Sequence, residues 1–374
     1  MILRQGFIII LLLTFIDTNA QTPEQTAAKH EFSVQQCVDY AGKNNVQIKN
    51  ALINVQLQEQ TNRGITSAAL PNISGAGSFT DYLKIPTNLL PGEFFGQPAG
   101  TFIPVQFGTK YNVNAGVTLQ QILFDGQVFI GLQARKTSID WSKKSVDVTM
   151  TNLKSVIYKV YYQLVVSKTQ VAQLDANIER VQKQEHDANE MFKNGFVEKI
   201  DVDRASVQLA NLLTEKASVE NQIANGYLGL KLLIGMPIKD SLVLTDKITD
   251  DDLKEGLLNE GEYDYNNRVE YQYVNLGKML NEYNIKRYKL AAIPTLSLTG
   301  NYSYQAQRSE FDFFGEGQWF KSAYIGLNLN VPIFDGFKRK SNLQSAMLTL
   351  QQTNNQLTFL KDSIDKEVKE ASNN

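Results

Sequence analysis

One cysteine and two histidines in 374 residues exclude several common chemistries. A disulfide framework needs paired cysteines, and a zinc site needs several Cys or His ligands. Cys37 is alone, and His30 and His186 lie in polar, helix-like surroundings with no serine or cysteine nucleophile beside them, so no catalytic constellation is expected. Charge of one sign is also lacking. With 37 Lys and Arg against 39 Asp and Glu, net charge −2, there is no basic surplus to displace counterions from a phosphate backbone, and nucleic acid is not expected as a partner. Gly75-Ala76-Gly77 sits inside an alternating strand pattern and not between a strand and a helix, so it is no dinucleotide loop and no cofactor is expected. Past the first twenty residues no apolar run reaches the ~18 residues a membrane helix needs. Any entry into a membrane is therefore restricted to strands. Hydrophobic residues still make up 43% of the chain, enough for a core.

The N-terminus has the three parts of a secretory signal. Arg4 supplies the charge, Phe7 to Ile16 the apolar run, and Thr18-Asn19-Ala20 the small-residue end, which predicts cleavage after Ala20. A transmembrane anchor is the alternative, but ten apolar residues are about half a bilayer span.

The mature chain repeats itself. Asn44-Asn45 opens a helical stretch closing at Ala69-Leu70-Pro71, followed by two alternating segments and Ile122-Leu123-Phe124-Asp125-Gly126. Asn266-Asn267 opens another closing at Ala292-Ile293-Pro294, followed by the same order and Pro332-Ile333-Phe334-Asp335-Gly336. This predicts 1–20 as signal peptide, 21–234 as a first repeat with a loop at 83–110 and a turn at 194–200, 235–262 as an equatorial linker, and 263–374 as an incomplete second repeat with a loop at 306–322. Phe32 to Tyr40 is expected to be irregular, and Asp250-Asp251-Asp252 a solvated loop, with a carboxylate metal site as the sharper alternative.

The alternating segments have a period of two. Leu296, Leu298, Gly300, Tyr302 and Tyr304 oppose Ser297, Thr299, Asn301, Ser303 and Gln305. Ala323, Ile325, Leu327, Leu329 and Val331 oppose Tyr324, Gly326, Asn328 and Asn330, and Tyr111 to Leu119 set apolar residues against Asn112, Asn114 and Thr118. Strands of about ten residues, apolar on one face and small-polar on the other, fit a lipid-facing barrel wall with a wet interior. An ordinary sheet on a soluble core is the alternative. Phe94, Phe95 and Phe102 in one loop, and Phe311, Phe313, Phe314, Trp319 and Phe320 in the other, favour the barrel, whose interfaces carry aromatic girdles. Four strands cannot close a barrel, so several chains must share one.

After Gly126 the spacing changes to three and four. Val146, Met150, Leu153, Ile157, Val160, Leu164, Ser167, Val171, Leu174, Ile178 and Val181 form a seam five heptads long, with no proline from Gln127 to Lys193. Those 67 residues predict a helix of roughly 100 Å. Asn194-Gly195 ends it, since glycine just past a helix commonly takes the left-handed cap. A return seam from Val202 to Leu233 is about half as long, and the stretch from Asn45 to Ala69 has the length to cover the remainder.

In this order, the duplicated Pro-strand and Phe-Asp-Gly elements, the stretch Phe192-Lys193-Asn194-Gly195-Phe196-Val197-Glu198-Lys199-Ile200-Asp201-Val202 and Leu232-Leu233-Ile234-Gly235-Met236-Pro237 resemble the TolC-like outer-membrane efflux proteins over nearly all of the mature chain. The resemblance implies a mainly α fold with a membrane β-barrel part: long coiled-coil helices forming a periplasmic α-barrel, and four strands per chain in a twelve-stranded barrel shared by a homotrimer. It implies a passive exit duct without cofactor or catalysis, driven by an inner-membrane pump or secretion ATPase through a periplasmic adaptor, which docks near the turn matching Asn194, Gly195 and Phe196. The duct would be lined by Asn112, Asn114, Thr118, Ser297, Thr299, Asn301, Ser303, Asn328 and Asn330. A periplasmic coiled-coil adaptor or structural protein is the alternative. The distance from Gly126 to Asn194, applied to Gly336, puts the second helical tip beyond Asn374, so the sequence is expected to be a fragment or a truncated reading frame, and the family's aperture residues have no counterpart in it.

Overall fold

The computed structural model describes residues 28–247 and 263–373; the signal peptide, Asp250-Asp251-Asp252 and most of the acidic linker lie outside them. The elements follow in the order β1 (Lys29–Phe32), α1 (Val34–Asn44), α2 (Val46–Ser67), β2 (Asn72–Asp81), β3 (Thr87–Pro91), β4 (Phe102–Gln106), β5 (Tyr111–Phe124), α3 (Gly126–Lys193) and α4 (Lys199–Ile234). They continue with β6 (Ser241–Leu244), α5 (Val269–Leu290), β7 (Thr295–Arg308), β8 (Phe320–Asn330) and α6 (Lys338–Asn373). They fold as two compact units, one of residues 38–163, 233–235 and 247 onward, the other of the remainder up to Asp246.

The first unit holds an antiparallel four-stranded sheet in the order β2-β5-β7-β8. Each repeat supplies a neighbouring pair, β2 with β5 and β7 with β8, and β5 with β7 joins the repeats. Helices feed these strands through matching junctions. Asn45 caps α2, its side-chain oxygen accepting from the Gln47 and Ile48 amides at 2.7 and 3.2 Å. Asp125 accepts from the Gln127 amide at 2.7 Å, and Asp335 accepts from the Arg339 amide and Nε, both at 2.9 Å. In both Phe-Asp-Gly elements, then, the aspartate satisfies donors at a helix start. The opening asparagines are not equivalent. Tyr265–Asn267 forms a separate 3-10 turn, and α5 starts after Arg268, whose side chain makes no capping bond.

α2 runs antiparallel to the start of α3. Asn62, buried between them, donates to the Arg135 carbonyl at 2.8 Å and accepts from Ser138 at 3.1 Å, while Arg135 donates to Thr66 at 2.6 Å. Trp141 of α3 stacks on Tyr273 of α5 at 5.1 Å. α5 and α6 are likewise antiparallel, held by Asn281 to Thr353 at 2.8 Å and Arg268 to Glu367 at 2.9 Å. Tyr263 and Tyr265 both donate to Asp365, which holds that carboxyl below its ordinary range.

The second unit is built on a helical hairpin. α3 runs 68 residues without a break; of its seam, Leu164, Leu174, Ile178 and Val181 are buried in this unit and Leu153 and Ile157 in the first. The seam misassigns one position, because Tyr161 and not Val160 is fully buried. Across the hairpin Lys216 pairs with Asp175 at 2.6 Å, Lys168 lies over the Tyr227 ring, and a Cβ on Gly226 would meet Leu164 at 2.6 Å.

Further expectations are corrected. The stretch from Phe32 to Tyr40 is regular: it closes β1 and forms most of α1. Within the segment expected as linker, β6 pairs parallel with β1, Lys29 to Ser241 through Phe32 to Leu244. The loop at 83–110 contains a hairpin, β3 with β4, and a 3-10 turn at Gly92–Phe95. The loop at 306–322 is shorter than expected because β7 runs to Arg308 and β8 begins at Phe320, and β5 and β7 are 14 residues each, not ten.

Candidate functional site

The sheet register sorts side chains onto two faces, since residues directly opposed across an antiparallel pair share a face. Ser74 opposes Thr118, which opposes Asn301, which opposes Tyr324; Asn72, Gln120, Thr299 and Gly326 form the next row. Continuing the rows places Asn112, Asn114, Thr118, Ser297, Thr299, Asn301, Ser303, Asn328 and Asn330 together on one face. Asn301 donates to Thr118 at 3.1 Å and Asn328 to Thr299 at 2.8 Å. Among its registered rows this face carries no charged side chain. Tyr324 and Phe320 are its large aromatics, and Phe320 had been expected only as a loop residue.

The opposite face is apolar. Ile73, Leu119 and Gly300 form one row with Ile325; Leu298 opposes Leu327 and Leu296 opposes Leu329. On the edge strands these side chains are open, Ile325 82% exposed and Leu327 66%, while Leu119, Leu296 and Leu298 of the two central strands are half-buried. A water-soluble sheet of this pattern covers its apolar face with another layer. Charges on this face stand only toward the loop end, at Asp81, Arg308 and Lys321. There Phe79 stacks on Tyr111, and Phe311 and Phe313 meet Phe79 edge-on at 5.8 and 6.0 Å, with Trp319 beside Phe313. Phe79 was not singled out in the sequence, although its place in the period of two could have identified it.

Both sheet edges, β2 and β8, lack a partner strand among the described residues. A β-bulge falls between Ile122 and Phe124, where β5 leaves the wall for α3.

The helical tip is a Schellman cap. The Phe196 amide donates to the Met191 carbonyl at 2.9 Å, the Gly195 amide to Phe192 at 3.0 Å, and Gly195 has φ +79°. The Asn194 side chain donates to the Glu190 carbonyl at 2.7 Å. Lys193 bonds Glu190 at 2.7 Å and holds that carboxyl below its ordinary range. Beyond the cap Phe196 is 81% exposed, with Met191 and Ile200 also open, so the tip presents an apolar knob on a polar hairpin.

No group of three or more His, Cys, Asp or Glu that could hold a metal occurs among the described residues. His30 lies in β1 and not in a helix, 3.5 Å from Asp240, while His186 is exposed on α3. Gly75 and Gly77 lie within β2.

No family model matches the chain. The outer membrane protein TolC of Vibrio cholerae serotype O1 is 20% identical over 266 residues, 70% of this chain and 60% of that protein, so the chain spans less than two thirds of this relative. Among solved structures, CusC, described for its folding and transmembrane channel formation, matches with a TM-score of 0.67 at 17% identity, over 94% of this chain and 78% of its own. The Campylobacter jejuni CmeC outer membrane channel matches with a TM-score of 0.68 at 19% identity, over 90% of this chain and 69% of its own.

Proposed function

From a chain that has the fold of the TolC-like outer-membrane channels, we propose a protomer of a trimeric outer-membrane conduit, a passive exit duct for molecules delivered by an inner-membrane pump or secretion ATPase. One observation carries this reading: an open four-stranded sheet with one continuous polar face, an apolar face that is exposed on its edge strands, and two edges unpaired among the described residues. Hydrocarbon tolerates no open sheet edge, because an unmade backbone hydrogen bond costs several kcal/mol there. Eight strands are about the minimum for such barrels. Three copies supply twelve and leave no edge, with the apolar faces toward outer-membrane lipid.

In this reading Asn112, Asn114, Thr118, Ser297, Thr299, Asn301, Ser303, Asn328 and Asn330 line the pore. Neutral amides and hydroxyls hydrate a lumen without holding a charged solute strongly, which suits broad passage. The duct is passive in this reading and the work comes from the pump, reached through a periplasmic adaptor whose helical hairpin packs at Asn194, Gly195 and Phe196. The apolar knob of Phe196 supports this, because it offers a helix an anchor that the surrounding polar hairpin does not.

The test is a pair of substitutions on each face. Leu298→Arg or Leu327→Arg places a cation on the lipid face, where the cost falls from about 2 to 4 kcal/mol at the bilayer midplane toward about 0 to 1 at its margins, and should impair membrane assembly. Thr299→Arg or Asn328→Arg should assemble and change conductance. Equal tolerance on both faces would refute the assignment, and release of the protein by carbonate would favour a peripheral adaptor.

A further inference from the structure

The apolar face bears a cation at a particular depth. Lys321 of β8 directly opposes Tyr304 of β7, and its ammonium lies over the Tyr304 ring at 5.6 Å. The Tyr304 hydroxyl is 3.0 Å from that of Tyr302, the next residue along the same face. Both tyrosines and Lys321 are exposed, and Lys321 has no carboxylate partner among the described residues. Within one copy, the one acidic residue in the registered rows of this face, Asp81, stands three strands away on β2, with Lys110 at 3.9 Å. Arg308, further toward the loop, donates to the Asp312 and Gln307 carbonyls and serves the loop.

Strands rise about 3.4 Å per residue and tilt by about 35–45° in barrels, so an apolar band about 25 Å tall spans about ten residues. Counted from Leu296, that band closes near Ala306. Tyr304 and Lys321 therefore sit at its upper margin, where hydrocarbon gives way to headgroups and long cationic side chains extend toward anions.

We propose that Lys321, Tyr304 and Tyr302 form a binding site for the phosphate of a membrane lipid in the leaflet at the loop end of the wall. The ammonium, held over the Tyr304 ring, supplies charge, and of the two linked phenol hydroxyls one donates to the other, which donates to the phosphate, while the acyl chains lie over Ile325 and Leu327. The site rests on the reading of this sheet as a membrane wall.

The experiment uses the assembled full-length protein in neutral detergent, with thermal midpoints read after adding dioleoyl phosphatidic acid, dioleoylglycerol with the same tails, or inorganic phosphate. Phosphatidic acid should raise the midpoint and the other two should not. Lys321→Gln and the Tyr302→Phe, Tyr304→Phe double variant should lose most of that rise, and Lys321→Arg should keep it. An equal rise with dioleoylglycerol would mean the tails alone bind, and a rise with inorganic phosphate would mean a free-anion site; either overturns the proposal. So would an undiminished rise in Lys321→Gln. A carbonate wash separates the two readings: protein that leaves the membrane overturns the wall and this site together, whereas carbonate-resistant protein without a phosphate-dependent rise overturns the site alone.

Discussion

At the residue scale, Cys37 shows how burial sets chemistry. It is fully enclosed, and burial, followed by the Asp246 carboxylate, pushes its thiol up to about 12. The unfolded thiol ionises near pH 8.5, so between there and the folded value the unfolded chain loses its proton first. The stability that the buried neutral thiol contributes is intact below about pH 8.5 and falls as pH rises toward 12. Folded protein at pH 8 should resist a thiol reagent such as dithionitrobenzoate and react once denatured; rapid labelling of the native protein would contradict this burial. The sequence identified Cys37 as solitary, but its enclosure depends on residues such as Asp246 far along the chain. Tyr161 makes the complementary point. A strict three-four count chooses Val160, but the buried stripe steps four residues from Ile157 to Tyr161 and three to Leu164, where it rejoins the counted seam; a helix of 3.6 residues per turn allows either order of threes and fours.

At the element scale, boundaries were legible where local chemistry sets them. Gly195 at φ +79° has nothing within 4 Å of a would-be Cβ, so Gly195→Ala causes no clash and pays only for the left-handed backbone, about 1 kcal/mol. Equilibrium urea unfolding should show that loss, with a smaller one for Gly195→Asn. Asn62 is the contrasting case, a buried amide joining α2 to α3. Asn62→Leu removes the bond to the Arg135 carbonyl and should cost about 1 to 3 kcal/mol, seen as a lower thermal midpoint. The β3–β4 hairpin was unreadable because Pro91 and Pro104 lie within its strands, and proline argues against a strand assignment unless an edge tolerates it. The β1–β6 pair was unreadable for another reason: two four-residue segments far apart in sequence pair in parallel, and no local pattern announces the pairing.

At the scale of the whole molecule, the edges of β2 and β8, unpaired among the described residues, predict association. Protein extracted in mild detergent should sediment as three copies once the detergent mass is subtracted. A stable monomer that needs no detergent would overturn the conduit, because its apolar face would then have to be covered from within the chain. The polar face bears on function at the same scale: with no charge among its registered rows, conductance should show weak ion selectivity, and a strong preference for anions or cations would place the lumen elsewhere.

The sequence by itself determined the period of each segment, and with it the two-faced strands, the long seam, the capped tip and the duplication. Periodicity and capping are properties of neighbours within a few residues, so the chain writes them locally. Tertiary structure decided what those segments meet. It joined β5 to β7 across the two repeats, which brought nine polar residues into registered rows on one face, and it paired β1 with β6. It also set Lys321 opposite Tyr304, because a sheet's register is fixed by hydrogen bonds between strands that no single strand encodes.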